Sequence, residues 1–122
     1  MYYSTWEELQ NACPIADGTW DQERLYEYLV ASCHKFSKQI EAFFMEYRND
    51  ENLADLLFSF LLDDDYDGSD SQMGAARVIS RMDRRLLRKK KDLLLKVQTN
   101  EVDWKRPFLQ NEHLEWIDES TT

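Results

Sequence analysis

Apolar residues return at steps of three and four along most of this chain, the period of helices rather than strands. The longest such series is Leu25, Leu29, Cys33, Phe36, Ile40, Phe43, Phe44 and Tyr47, one face at helical spacing. It predicts a helix running to Arg48, continuous or broken between Ser32 and Ser37, where poor helix formers cluster. Thr19-Trp20-Asp21-Gln22 has the spacing of a capping box and opens it. Thr5-Trp6-Glu7-Glu8 repeats that spacing upstream and predicts a short helix over 6–12, stopped by Pro14, with a turn at Asp17-Gly18.

Asn49-Asp50-Glu51-Asn52 supplies the next stop and start, and Leu53, Leu56, Leu57, Phe60 and Leu61 give a short, strongly apolar third helix. Residues 63–71, Asp-Asp-Asp-Tyr-Asp-Gly-Ser-Asp-Ser, read as a loop, with Ser71 as cap for the next helix. From Gln72 to Gln98, Ala76, Ile79, Met82, Leu86, Leu93 and Val97 share one helical sector, with Arg77, Arg81, Arg84, Arg85, Arg88 and Lys91 opposite. Lys90 falls inside the apolar sector, so a break is expected near 88–91. Beyond Asn100 the chain reads as irregular through Pro107. Asn111 then caps a last turn or two carrying Leu114, Trp116 and Ile117. No strand alternation and no internal repeat stand out. The expectation is all-α: one domain over 1–122, a bundle of about four to six helices with an acidic inter-helix loop and a less regular segment over 99–122.

Composition agrees. Hydrophobic residues make up 43% of 122, with only 3 Gly and 2 Pro, which suits helices joined by short connections. No apolar stretch of about 18 residues is present, so no membrane-spanning helix is expected. The N-terminus lacks the basic start and apolar run of a secretory signal. Cys13 and Cys33 form no disulfide framework, and the expected compartment is the cytoplasm with thiols reduced.

Charge changes the picture most, because it is sorted along the chain. Residues 1–76 hold 4 Lys/Arg against 16 Asp/Glu, residues 77–106 hold 11 against 4, and residues 107–122 hold none against 4. An acidic body, one basic segment and an acidic tail point to electrostatic recognition of a partner.

Asp63-x-Asp65-x-Asp67-Gly68 matches positions 1, 3, 5 and 6 of an EF-hand loop. The twelfth position, which needs a bidentate carboxylate, is Gly74, and the usually apolar eighth is Asp70. No metal and no cofactor are therefore expected. The acidic cluster is better suited to docking a basic partner: Asp63, Asp64, Asp65, Asp67 and Asp70 surround Tyr66, a ring able to anchor a contact. The tail offers a second surface in Glu112, Glu115, Trp116, Asp118 and Glu119. The basic face over 77–91 admits phosphate contact, but a sequence pI near 4.6 argues against a polyanion and for internal compensation.

Catalytic chemistry is poorly supplied. His34 and His113 sit in no nucleophile motif, and adjacent Cys33 and His34 on a helix point about 100° apart, too far for a thiolate–imidazolium pair. Cys13, Cys33, His34 and His113 have the count but not the spacing of a zinc set, and Cys33 reads as a small core residue. No enzyme is expected. Trp6 and Trp20 read as staples of helix ends to the core, and Trp104 and Trp116 as tail anchors.

A small, acidic, aromatic-rich helical chain without catalytic residues resembles the immunity proteins of bacterial toxin systems, those of contact-dependent growth inhibition and nuclease bacteriocins above all. The resemblance is one of kind over the whole chain, with no motif matched and no site carried over. It implies a one-to-one complex with a cognate toxin domain, often a basic nuclease, blocking its active site or an adjacent surface. Hydropathy gives no reason to expect a membrane partner, and charge disfavours nucleic acid. The competing readings are a DNA-mimic or adaptor binding several basic proteins, and a small nucleic-acid-binding regulator using the helix over 77–91.

Overall fold

The computed structural model describes residues 5–33, 36–63, 69–100 and 105–108. Helix α1 (Trp6–Asn11) begins where Thr5 accepts the Glu8 N–H, and it ends ahead of Pro14. Two strands come next, β1 (Ile15–Ala16) and β2 (Thr19–Trp20), paired antiparallel with Ile15 opposite Trp20 and Ala16 opposite Thr19. Asp17 and Gly18 both take positive φ, 53° and 78°, as the tightest hairpin turns require. This hairpin escapes the sequence pattern because two residues per strand leave no alternation to read. It also displaces a cap. Thr19 is spent in β2, and Asp21 caps α2 (Gln22–Ala31) by accepting the Arg24 N–H at 3.0 Å.

The long apolar face divides in the segment its composition marks, into α2 and α3 (Ser37–Met45). Cys33 therefore lies past the end of α2. It is half-buried rather than a core residue, and its thiol donates to the Asp70 carbonyl at 3.3 Å. Helix α4 (Glu51–Leu62) is capped by Asp50. Helix α5 (Ser69–Ser80) starts earlier than the capping pattern suggests, so Ser71 is an interior helix residue and fully buried.

The 72–98 pattern breaks twice rather than once, giving α5, α6 (Arg84–Lys89) and α7 (Lys91–Gln98). The break at Lys90 is the one its polar intrusion predicts. The other arises at Asp83, whose side chain caps α6 on the Arg85 N–H while its own N–H bonds to the Arg48 carbonyl. That second bond is tertiary, so the local sequence does not announce it. Among the described residues 68% are helical, and the all-α expectation holds.

Helix α5 packs against both α2 and α4, and α7 closes the far side of α4. Leu25, Leu29, Leu53, Leu57, Leu61, Ile79, Leu87 and Leu94 are fully buried in one contiguous core. Each such side chain contributes roughly 1.5–3 kcal/mol by leaving water. Gly74 is what lets α5 approach α2: a Cβ there would stand 2.5 Å from the Leu29 carbonyl oxygen. The aromatic residues staple the hairpin and helix ends as their positions suggest. Trp20 stands edge-on to Phe43 and Tyr47 and donates its indole N–H to Asp50, while Trp6 meets Tyr28 and Phe36. At the C-terminal end, the Gln98 amide donates to the Phe108 carbonyl and accepts the Phe108 N–H, holding 105–108 against α7.

Candidate functional site

Of the acidic loop residues, the structure places Asp63 and Asp70. Asp63 is exposed at the end of α4, and Asp70 is exposed in the first turn of α5, so the two bracket the α4–α5 connection. Asp64, Asp65, Tyr66 and Asp67 lie outside the described residues, as do Glu112, Glu115, Trp116, Asp118 and Glu119. The EF-hand numbering meets a physical obstacle here. Its seventh to twelfth positions, 69–74, are helical, and Gly74 faces α2 rather than the connection. Among the described residues no three His, Cys, Asp or Glu side chains come together as a metal site needs.

The basic segment is divided among three short helices instead of running along one. Part of its charge also turns inward. Arg77, half-buried, donates to the carbonyl of Ser32 at 3.1 Å. Ser32 is the C-cap of α2, a helix with no basic residue in its own last turn, so Arg77 supplies the missing positive charge from another helix. Arg81 pairs with Glu41 at 2.8 Å, joining α5 to α3. Lys90 reaches Glu51 at 3.0 Å and Asp55 at 2.8 Å, joining the α6–α7 junction to α4. Hydrogen bonds to Asp55 and Glu51 hold the Lys90 ammonium above the ordinary lysine range, against a smaller desolvation effect. That is why a lysine is tolerated in an apolar sector.

A concave feature that no sequence motif marks lies between α3 and α5. It is a narrow, partly open cleft of about 20 Å³, room for about one water, with Ile40, Phe44, Val78 and Met82 as apolar lining. Arg48, Arg77 and Arg81 also line it, together with Glu41. Arg48 comes from the acidic body and the other two from the basic segment, so only folding brings them together. The bond from the Asp83 N–H to the Arg48 carbonyl, 3.0 Å long, ties the adjoining ends of α3 and α5.

The described residues form a single helical domain with an arginine-lined cleft between α3 and α5. No family model, curated protein or solved structure matches this chain. Among the described residues no helix is long and apolar enough to cross a membrane.

Proposed function

We propose that this protein is a cytoplasmic immunity protein: it binds a cognate toxin domain one to one through its acidic surface and neutralises it. The partner is a basic domain, a nuclease being the class whose charge fits best. The observation that carries this reading is the fate of the basic segment. Its cations are spread over three helices, and Arg77, Arg81 and Lys90 are engaged by the protein's own carbonyl and carboxylate groups. Arg85 and Lys89 stay exposed on α6, but the chain as a whole keeps a formal charge of −9. Such a surface steers basic partners and raises their association rates about 10- to 1000-fold, less as salt rises.

The contact surface is the segment Asp63, Asp64, Asp65, Tyr66, Asp67 and Asp70, with the tail residues Glu112, Glu115, Trp116, Asp118 and Glu119 beside it in role. Co-expression with a basic toxin domain sought among the neighbouring genes tests the function: cells survive with the protein and die without it. Equal death in both arms rejects the immunity reading. A DNA-mimic adaptor shares the same acidic surface and differs in one outcome, inhibition of several unrelated basic enzymes instead of one.

A further inference from the structure

We propose that the acidic C-terminal segment, residues 109–122, docks back along α7 as an intramolecular strap, its apolar side chains on Leu95 and its carboxylates on Lys91. The docking stands without the immunity reading; only its consequence for a partner rests on it. Residues 109–122 lie outside the described residues, but their root does not. The Gln98 amide donates to the Phe108 carbonyl at 2.8 Å and accepts the Phe108 N–H at 3.1 Å, so residue 109 leaves from the last turn of α7. The residue that fixes the root also begins a stripe. With 3.6 residues per turn, Gln98, Leu95 and Lys91 fall within a sector of about 60° on α7. That sector borders the face on which Leu94 and Val97 are buried. Leu95 is 37% exposed, one of four large apolar side chains left so open among the described residues.

The chain beyond Phe108 has the chemistry that this stripe calls for. Residues 107–122 hold 4 Asp/Glu and no Lys or Arg, with Leu114, Trp116 and Ile117 among the carboxylates. Reach agrees. From Gln98 back to Lys91 is about 10 Å along the helix, while the four residues from Phe108 to Glu112 span about 6 Å if helical and about 13 Å if extended. The Glu112 and Lys91 side chains close the difference in either case. Because the root is pinned, the segment meets α7 at an effective concentration on the order of millimolar, so weak contacts suffice. A partner that takes Glu112, Glu115 and Trp116 must first lift them from α7. The strap therefore withholds the second contact surface from partners that bind too weakly to displace it.

The test uses the full chain and a water-soluble carbodiimide, which joins a carboxylate to an amine only where the two touch. Mass spectrometry of the peptides then locates the links. Lys96 is the internal control, exposed and nearer the root in sequence than Lys91. It sits about 140° around α7 from Lys91, off the stripe. Glu112 or Glu115 should link to Lys91 about 5-fold more often than to Lys96, at a yield independent of protein concentration. A segment that does not dock favours the more exposed Lys96. That result, or links between molecules only, overturns the proposal. Leu95→Asp is the second arm, since a side chain so open to water adds little to the core. It should speed cleavage after Glu112 and Glu115 by a glutamate-specific protease roughly 10-fold, the order that covering a half-exposed leucine is worth, with circular dichroism unchanged. Lys91→Gln should speed it about 3-fold. Equal cleavage of wild type and both variants overturns the strap as well. Should Leu95→Asp disturb the fold, Lys91→Gln and the cross-links in the wild-type chain still decide.

Discussion

Replacing Gly74 with alanine is the sharpest test of how the helices are assembled, because two effects of known size oppose one another there. For a helix facing solvent, glycine to alanine is stabilising by about 1 kcal/mol, the difference in helix propensity. At Gly74 the new Cβ would lie 2.5 Å from the Leu29 carbonyl oxygen, 2.8 Å from the Ser32 hydroxyl and 3.1 Å from the Leu29 carbonyl carbon. Ordinary contact begins near 3.4 Å, so α2 and α5 must part by most of an ångström. The Ser32 hydroxyl has little room to move aside, since it donates to the same Leu29 carbonyl at 2.6 Å. Parting the helices loosens Leu25, Leu29 and Ile79, all fully buried. Overpacking of this kind costs about 1–3 kcal/mol, and contact with backbone puts it at the upper end. The net expectation is a loss of about 2 kcal/mol, or a fall in Tm of about 6–12 °C for a chain of this size. Thermal and urea unfolding, followed by circular dichroism at about 222 nm, would measure it. Gly18→Ala is the control: nothing lies within 4 Å of its Cβ, so only the positive φ of 78° opposes it, at about 1 kcal/mol. A Gly74→Ala variant as stable as wild type or more so would refute the close approach of α2 and α5.

The same geometry sets three further outcomes. Asp50→Ala removes both the cap on the Leu53 N–H and the acceptor of the Trp20 indole, and should cost about 2 kcal/mol in urea unfolding; Asp21→Ala, a cap alone, should cost about 1. Lys90→Met should lose about 1 kcal/mol at neutral pH, since its partners are half-exposed and screened by water. Because folding raises the Lys90 pKa, its contribution is fully present below the unfolded value of about 10.4 and disappears as pH rises through the higher folded value. The gap in stability between wild type and Lys90→Met should therefore stay constant from neutral pH to about pH 10 and close above it; a gap that closes on the acid side of about pH 9 would contradict the assignment. For the proposed toxin complex, replacing Asp63, Asp65 and Asp67 with Asn should slow association without loss of helix, whereas Tyr66→Ala or Trp116→Ala should mainly speed dissociation. Stopped-flow and surface-binding kinetics separate the two, and an unchanged association rate in the triple Asn variant would remove the acidic segment from the interface.

The sequence by itself determined the helical class and the starts of α1 and α4, because both are local. Apolar steps of three and four specify a buried helix face whatever lies opposite, and Thr5 and Asp50 satisfy N–H groups only a few residues away. It also marked the weak points at 32–37 and at Lys90, where poor helix formers or a charge interrupt the face. Tertiary structure decided what depends on distant partners. The hairpin took Thr19 away from the α2 cap and left that task to Asp21. The Asp83 N–H found the Arg48 carbonyl and turned one expected helix into separate pieces. Gly74, which as a sequence position only spoils a calcium loop, became a point of close approach between α2 and α5. The sorted charges were legible at once, but their pairing was not. Which cations would face Glu41, Glu51 and Asp55, and which would gather around the cleft, depends on how α3, α4 and α5 lie against one another. Charge attracts over distance without specifying a partner, so packing of the apolar faces makes that choice.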